Sequence, residues 1–542
     1  LALFEPPSIS LNERIYLDVD KSVLERSGET VVISYSNVPW YYLGCMIAVY
    51  SPAQGIQSEE ALAATSPIKY RNLGDATDEF GKSNWFNTRG QVSMNLLNLR
   101  DEAGYSVGLF RNGLKSPVLV AELPGAIRFS DPKTEILHQH LALTGDSTEM
   151  RVSWVMGAEM RKGVMRVQYG EEGSSEMMEA AAGRPHTYGR ADMCGDIASS
   201  SGFHDPGLHY TAVMTSLTPG RRYWYQVTAG LNGGPGGGLM PAGARASFLA
   251  PPPPGAPVKF SMFADMGTAE ADGSRDAGHW MEAPALRTTE SVARLMSDAY
   301  TEQPIGMVMH VGDIAYSRGF ASQWDEFMTM IQPVATQIPW MVGVGNHERD
   351  SGDDTLNHAR TGKSYFMGGD SGGECGVPYS TYFRMPAPAD DPKQDTPWYS
   401  LNYGVVHLLV MSTEHDYQPG SEQYSFLQQD LEAVDRSVTP WIVFTGHRPM
   451  YVDSTGMGAE DCHPATRDGV PCGNDQPGAA DLRKNLEPLL LKHQVDLCVW
   501  GHHHTYQRTC PIANNKCVHA EKGVDSRGQY LAPVHIVAGM AG

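Results

Sequence analysis

The stretch Ile305-Gly-Met-Val-Met-His-Val311, followed at once by Gly312-Asp313-Ile-Ala-Tyr316, sets the pattern for the C-terminal half of this chain. Its apolar run has the length of a strand and ends on a glycine and a carboxylate. The same design recurs four times. Val258 to Ala264 leads into Asp265-Met-Gly267, and Trp340 to Val344 into Gly345-Asn346-His347-Glu348. Trp441 to Thr445 leads into Gly446-His447, and Asp496 to Trp500 into Gly501-His502-His503-His504. Amphipathic segments lie among them at Ala283 to Ala299, Trp324 to Gln337, Ser421 to Asp435 and Ala479 to His493. Strand-like runs alternating with helices predict a layered α/β architecture. In an open α/β layer the carboxyl ends of neighbouring strands share one rim, which would gather these Asp, Tyr, Asn and His side chains.

One Gly-Asp or Gly-His is ordinarily a turn, and one His is ordinarily structural. Five such termini in order carry more weight, because mixed carboxylate, imidazole and amide donors suit hydrolytic metal ions. Asp313 can bridge two ions, while His502 and His504, one residue apart, can serve different ions. Gly312, Gly345, Gly446 and Gly501 are expected to permit backbone geometries that a β-carbon would hinder.

Working outward, residues 1–130 alternate apolar and polar positions in runs such as Thr30 to Ser36 and Met46 to Tyr50, predicting a β-sandwich. Residues 131–250 form a second β unit, 251–257 a stiff Pro-rich linker, and 258–542 the domain bearing the five motifs. The Gly-rich run Leu231 to Gly238 is expected to be a hairpin or surface loop. The chain has 542 residues with 41 Lys and Arg against 62 Asp and Glu, a net charge of -21. With no basic stripe, nucleic-acid binding is not expected. No apolar run reaches the roughly 18 residues of a membrane-spanning helix. The chain starts at Leu1 with no signal-like segment, as in a processed chain or an excerpt. Eight Cys, with Cys510 and Cys517, and Cys462 and Cys472, spaced to close short loops, favour an oxidising compartment, secreted or cell wall.

The five motifs Asp265-Met-Gly267, Gly312-Asp313-Ile-Ala-Tyr316, Gly345-Asn346-His347-Glu348, Gly446-His447 and Gly501-His-His-His504 resemble those of the purple acid phosphatases. Met150-Arg-Val-Ser-Trp154, Leu217-Thr-Pro-Gly220 and Tyr223-Trp-Tyr225-Gln-Val227 resemble the Trp and Tyr strands of fibronectin type III domains. Ser371 to Pro378, Glu414-His415-Asp416 and Arg508-Thr-Cys-Pro511 look like the large plant-type branch, which has an extra leading domain. Some of its members are described as nucleotide pyrophosphatase/phosphodiesterases.

The resemblance implies a fibronectin III-like domain followed by a four-layer α/β-β/α calcineurin-like metallophosphoesterase domain. It implies Fe(III) on Asp265, Asp313, Tyr316 and His504, with Tyr316 giving the purple charge transfer. It places a divalent ion (Zn, Mn or Fe) on Asp313, Asn346, His447 and His502. The implied activity is acid phosphatase action on small phosphate monoesters, with hydroxide generated at the ions as nucleophile. Nucleotide pyrophosphatase/phosphodiesterase activity is the alternative, and a non-catalytic surface protein with a phosphatase-like module is another. His347 is the expected catalytic contact to the phosphoryl group, with Asn346 and Arg448 also at the substrate and Glu414 and His415 as further lining. Family chains usually continue beyond Gly539-Met-Ala-Gly542, so 258–542 is read as a catalytic domain without its usual end.

Two strings point elsewhere. Gly369-Asp370-Ser371-Gly372-Gly373 matches a serine-hydrolase signature but lacks the strand before and the helix immediately after that a nucleophile elbow needs. Gly362-Lys363-Ser364 copies the tail of a P-loop, but Asn357 replaces the required glycine. A departure from the family concerns the general acid: many members carry a His pair about ten residues beyond the His447 position, and Asp453 to Ala459 contains none. His463 is the remaining candidate. His463→Ala should lower turnover on poor leaving groups more than on nitrophenyl phosphate; an equal effect on both removes His463 from proton transfer.

Overall fold

The computed structural model describes residues 7–542 apart from 53–55, 57, 76–87, 159–162, 232–238, 242, 277–281, 298–303, 351–368, 388–394, 454–477 and 519–530. His463, the Cys462 and Cys472 pair, the P-loop-like string and most of the Gly-rich run therefore lie outside the described residues.

Alternation builds the first unit. In Glu29–Ser36 the residues Val31, Ile33 and Tyr35 are buried while their neighbours are not, as a strand with one face on a core requires. This strand lies between Tyr16–Val19 and Gly90–Leu96 in an antiparallel sheet. The opposing sheet runs in the order Ser8–Ile9, Val118–Phe129, Tyr105–Arg111, Met46–Tyr50, Lys69–Asn72. Its edge is closed by Arg275–Asp276, two residues from the C-terminal part of the chain. Met46–Tyr50 is buried on both faces, with Ile47 and Val49 in the sandwich core and Met46, Ala48 and Tyr50 in a second cluster.

The second unit sets Leu137–Ala142, Met150–Met156 and Leu208–Met214 against an antiparallel sheet of Met178–Ala181, Gly163–Glu171, Arg222–Leu231 and Leu239–Pro241, with Ala246–Leu249 also paired to Arg222–Leu231. Trp154 is fully buried and stacks on Tyr210 at 5.7 Å between ring centroids.

The remaining residues form two sheets face to face. Ser261–Phe263, Val308–Val311 and Trp340–Gly343 are parallel. Val406–Val410, Trp441–Thr445, Leu497–Trp500 and Val534–Ala538 form the parallel part of the second sheet, with Tyr399–Tyr403 and Tyr506–Ala513 antiparallel at its two sides. Met309, Val311 and Met341 on one inner face share a core with Leu408, Val410 and Val443 on the other, and that core runs on to Trp154 and Tyr225 of the second unit. Helices Pro284–Leu295 and Ser322–Ala335 cover the outer face of the first sheet; Glu422–Ala433 and Ala479–Lys492 cover that of the second. The layers are therefore helix, sheet, sheet, helix. The five motifs end strands in two sheets, so their rim is the common carboxyl edge of a sandwiched pair rather than of one open sheet.

Ion pairs fasten the first unit to this assembly. Lys69 Nζ lies 2.8 Å from Glu270 and 3.4 Å from Glu326. Arg100 pairs with Asp325, Nη2 to Oδ2 at 3.1 Å, and donates to the carbonyl of Asp205 at 2.8 Å. All three units meet at Asp325, because His138 Nε2 stands 3.5 Å from its carboxylate. Burial, opposed by Asp325, pushes the His138 imidazole down to about 4, so it is neutral near pH 7. Removing one partner of such a pair leaves a buried uncompensated charge. Arg100→Leu should destabilise the protein by about 3–5 kcal/mol in chemical denaturation, and Arg100→Leu with Asp325→Leu should recover most of that loss.

Candidate metal centre

The seven expected ligand residues meet. Tyr316 Oη lies 3.1 Å from Asp265 Oδ1 and 2.7 Å from His504 Nε2, and His504 Nε2 is 3.5 Å from Asp265 Oδ1. On the other side, Asn346 Oδ1 is 3.1 Å from His447 Nε2 and 2.9 Å from His502 Nδ1. His447 joins the halves, with Nε2 3.2 Å from Asp313 Oδ2 and 3.9 Å from Asp265 Oδ1.

Each carboxylate is anchored through one oxygen. Asp313 Oδ1 accepts from the His347 N–H at 3.0 Å, and Asp265 Oδ2 accepts from the His502 N–H at 2.8 Å. His447 Nδ1 faces the Val311 carbonyl at 3.0 Å, which makes it a donor nitrogen, so that loss of a proton from this ring frees Nε2, on the cluster side, as the ligand atom. Glu348 ties two motifs together: it accepts from the N–H groups of Asp313 at 2.9 Å, Ile314 at 2.7 Å and Gly345 at 2.8 Å.

The backbone is unusual where the ligands sit. Asp265, Asp313, Tyr316 and His502 have φ of 61°, 49°, 48° and 69°, left-handed values rare for side-chain-bearing residues and costing of order 1–3 kcal/mol each. The motif glycines divide between two roles, backbone freedom as expected at Gly312 and space at the others. Gly312 alone among the four has positive φ, at 84°. Gly345 and Gly501 are required for space, since a β-carbon would stand 2.3 Å from Asp313 Oδ1 at the first and 2.3 Å from Ala264 Cβ at the second.

The donor set fits cations. Burial alone would lower the His447 pKa, yet Asp313 and Asp265 raise it to about 10, so a protonated imidazole serves as the cluster's positive charge. Burial and the same two carboxylates push the Tyr316 phenol well above its ordinary value, a group that ionises only beside a strong positive charge. Asp313, His447 and His502 place ligand atoms within 4.8 Å of one another.

Around this centre, His347 is partly exposed, with its ring edge-on to Tyr316 at 4.6 Å and Nε2 3.9 Å from Asp313. Its buried Nδ1 has no hydrogen-bond partner among the described residues. Burial, opposed by Asp313, lowers its pKa below the ordinary histidine value. Arg448 is buried, bound by Glu414 through Nε at 2.9 Å and by Asp350 through Nη2 at 3.0 Å, with Nη1 3.3 Å from His502 Nε2. It sits behind a ligand. His415 is likewise engaged away from the rim, by Ser412 at 2.7 Å and Asp395 at 2.9 Å. Ser371 is fully buried and its hydroxyl donates to the Asp350 carbonyl, which ends the serine-nucleophile alternative. Glu348, Asp370 and Glu374 support the site without having been assigned a role from sequence.

Residues 136–244 match the family described as "Purple acid Phosphatase, N-terminal domain", and residues 279–506 match "Calcineurin-like phosphoesterase". The chain is 33% identical over 553 residues to "Probable inactive purple acid phosphatase 1" of Arabidopsis thaliana, covering 99% of this chain and 82% of that protein. This chain belongs to the purple acid phosphatase family. A purple acid phosphatase isolated from yellow lupin (Lupinus luteus) seeds superposes with a TM-score of 0.77 at 28% identity, covering 98% of this chain and 87% of that one. A "Nucleotide pyrophosphatase/phosphodiesterase" of Hordeum vulgare is 35% identical over 298 residues, covering 55% of this chain and 72% of that protein.

Metal ligation requires neutral imidazole and phenolate, so loading the metal-free purple acid phosphatase fold should release protons. Near pH 7 the expected release is at least two, one each from His447 and Tyr316, with a further share from His504, whose imidazole the Asp265 carboxylate shifts upward. Calorimetry in buffers of different ionisation enthalpy measures the number. Tyr316→Phe should remove one of them.

Proposed function

We propose that this protein is a metal-dependent acid phosphatase that hydrolyses phosphate monoesters. Fe(III) is assigned to Asp265, Asp313, Tyr316 and His504, and a divalent Zn, Mn or Fe to Asp313, Asn346, His447 and His502. The observation that carries this reading is the convergence of all seven donor side chains. Cations held there supply Lewis-acid charge that polarises a phosphoryl group and acidifies water.

The chain's own residues do the rest. His347, partly exposed beside Tyr316 and Asp313, donates a hydrogen bond to a phosphoryl oxygen. Asp265 and Asp313, pinned through backbone N–H groups, hold their free oxygens fixed as charge develops, which is the preorganisation that electrostatic catalysis requires. Glu348 keeps the Asp313 and Asn346 loops in register.

The Arabidopsis relative's name includes the words "probable inactive". The filled donor set supports activity here. A second reading, nucleotide pyrophosphatase/phosphodiesterase, is supported by the likeness to the Hordeum vulgare protein of that name. Among the described residues, the disulfides Cys194–Cys375 and Cys510–Cys517 support secretion into an oxidising compartment.

Comparing kcat/KM of the metal-loaded enzyme on a phosphomonoester, a bis-ester, ATP and phytate tests the proposal. The monoester should lead; preference for the bis-ester or ATP selects the second reading, and full metal content without hydrolysis selects a non-catalytic protein. His347→Ala should lower kcat/KM on the monoester by about 10²-fold.

A further inference from the structure

The string Gly369-Asp370-Ser371-Gly372-Gly373 acts through its aspartate. Asn346 has two nearly isosteric faces, and only its oxygen can serve a cation, because the NH₂ group has no lone pair to offer. Asn346 Oδ1 is turned inward, 3.1 Å from His447 and 2.9 Å from His502. On the outward side Asn346 Nδ2 donates to Asp370 Oδ2 at 3.0 Å. A carboxylate only accepts, so turning the amide over would set oxygen against oxygen at Asp370 and the NH₂ group toward the imidazoles.

Asp370 is delivered by a segment held on all sides. The Ser371 N–H donates to the Asp350 carbonyl at 3.1 Å, Cys194 N–H to Gly373 at 2.8 Å and Ala198 N–H to Gly372 at 2.9 Å. Gly372 and Gly373 lie so close to neighbouring chain that β-carbons would stand 2.0 Å from the Arg318 carbonyl oxygen and 2.3 Å from that of Gly195. The Cys194–Cys375 disulfide fixes the same turn to the second unit. Its far end supports the other half of the centre: Glu374 accepts from Ser317 Oγ at 2.7 Å and from the Gly319 N–H at 3.2 Å, just beyond Tyr316.

We propose that Asp370 is a positioning residue for the divalent half of the centre, holding the Asn346 amide so that oxygen rather than nitrogen faces the ion between His447 and His502. This rests on the two-ion reading above and adds a determinant of affinity for one ion alone. Parent and variants of the full chain are loaded with iron and zinc. Zinc affinity is read by chelator competition, and the iron half by its tyrosinate absorption.

Asp370→Ala should weaken zinc binding by about 10- to 100-fold with the tyrosinate absorption unchanged. Asp370→Asn, whose carbonyl still accepts from Asn346, should stay near the parent. Asn346→Asp sets two carboxylates face to face, and combining it with Asp370→Asn should bind zinc more tightly than Asn346→Asp alone. Zinc affinity unchanged in Asp370→Ala, equal loss of both metals, or no gain in the exchanged pair overturns the inference while the two-ion reading stands. A parent that binds no zinc beside its iron overturns the two-ion reading, and this inference with it.

Discussion

Two carboxylates buried within one cluster set the terms for everything around them. Asp265 and Asp313 come from separate strands of one sheet, and each spends one oxygen on a backbone N–H of another motif, leaving the other to face the cluster. The bond from Asp265 reaches the His502 loop, which belongs to the other sheet, so the ligand is also a staple between the two layers. Negative charge gathered at such a place demands positive charge in return. Within the protein alone the imidazoles of His447, beside Asp313, and His504, beside Asp265, stand nearest, and these carboxylates shift both upward from the ordinary histidine value.

Geometry at the rim is bought by the surrounding packing. Four ligand residues adopt left-handed backbone values that isolated Asp, Tyr and His residues seldom populate. They persist because the neighbouring turns leave no alternative: Glu348 accepts three N–H groups from two loops, and the glycines let those loops approach. Arg448, Glu414 and Asp350 form a second buried layer under His502, rigid through its hydrogen bonds rather than through apolar contact.

The sequence made the ligands legible because each follows an apolar run and the pattern repeats in order. Helix positions were legible for the same reason, the observed Ala479–Lys492 falling almost on the periodic segment that predicts it. Pairing between distant parts was not. Nothing in Arg275-Asp276 announces a strand added to the first sheet, and Cys194 and Cys375 are 181 residues apart with no spacing to connect them. Arg448 was expected to line the substrate, and its guanidinium is instead held by Glu414 and Asp350 beside His502. Gly345 and Gly501 were correctly singled out for the wrong cause: crowding is a property of the folded neighbourhood, whereas backbone freedom is a property of the residue itself. Asp370 was visible only as part of a misleading signature, since its meaning depends on which atom of Asn346 it meets.

The contribution of Arg275–Asp276 to the leading sandwich makes that sandwich an integral wall of the phosphoesterase-like body. The loop leaving Asp265 travels past Glu270, which holds Lys69, and then lends its backbone to the edge beside Lys69–Asn72. Severing the N-terminal unit would strip this loop of its docking strand, expose a sheet margin and abandon Glu326 without its ammonium partner. Evolutionary swapping or laboratory trimming of that unit would therefore reach the first ligand loop through the chain itself.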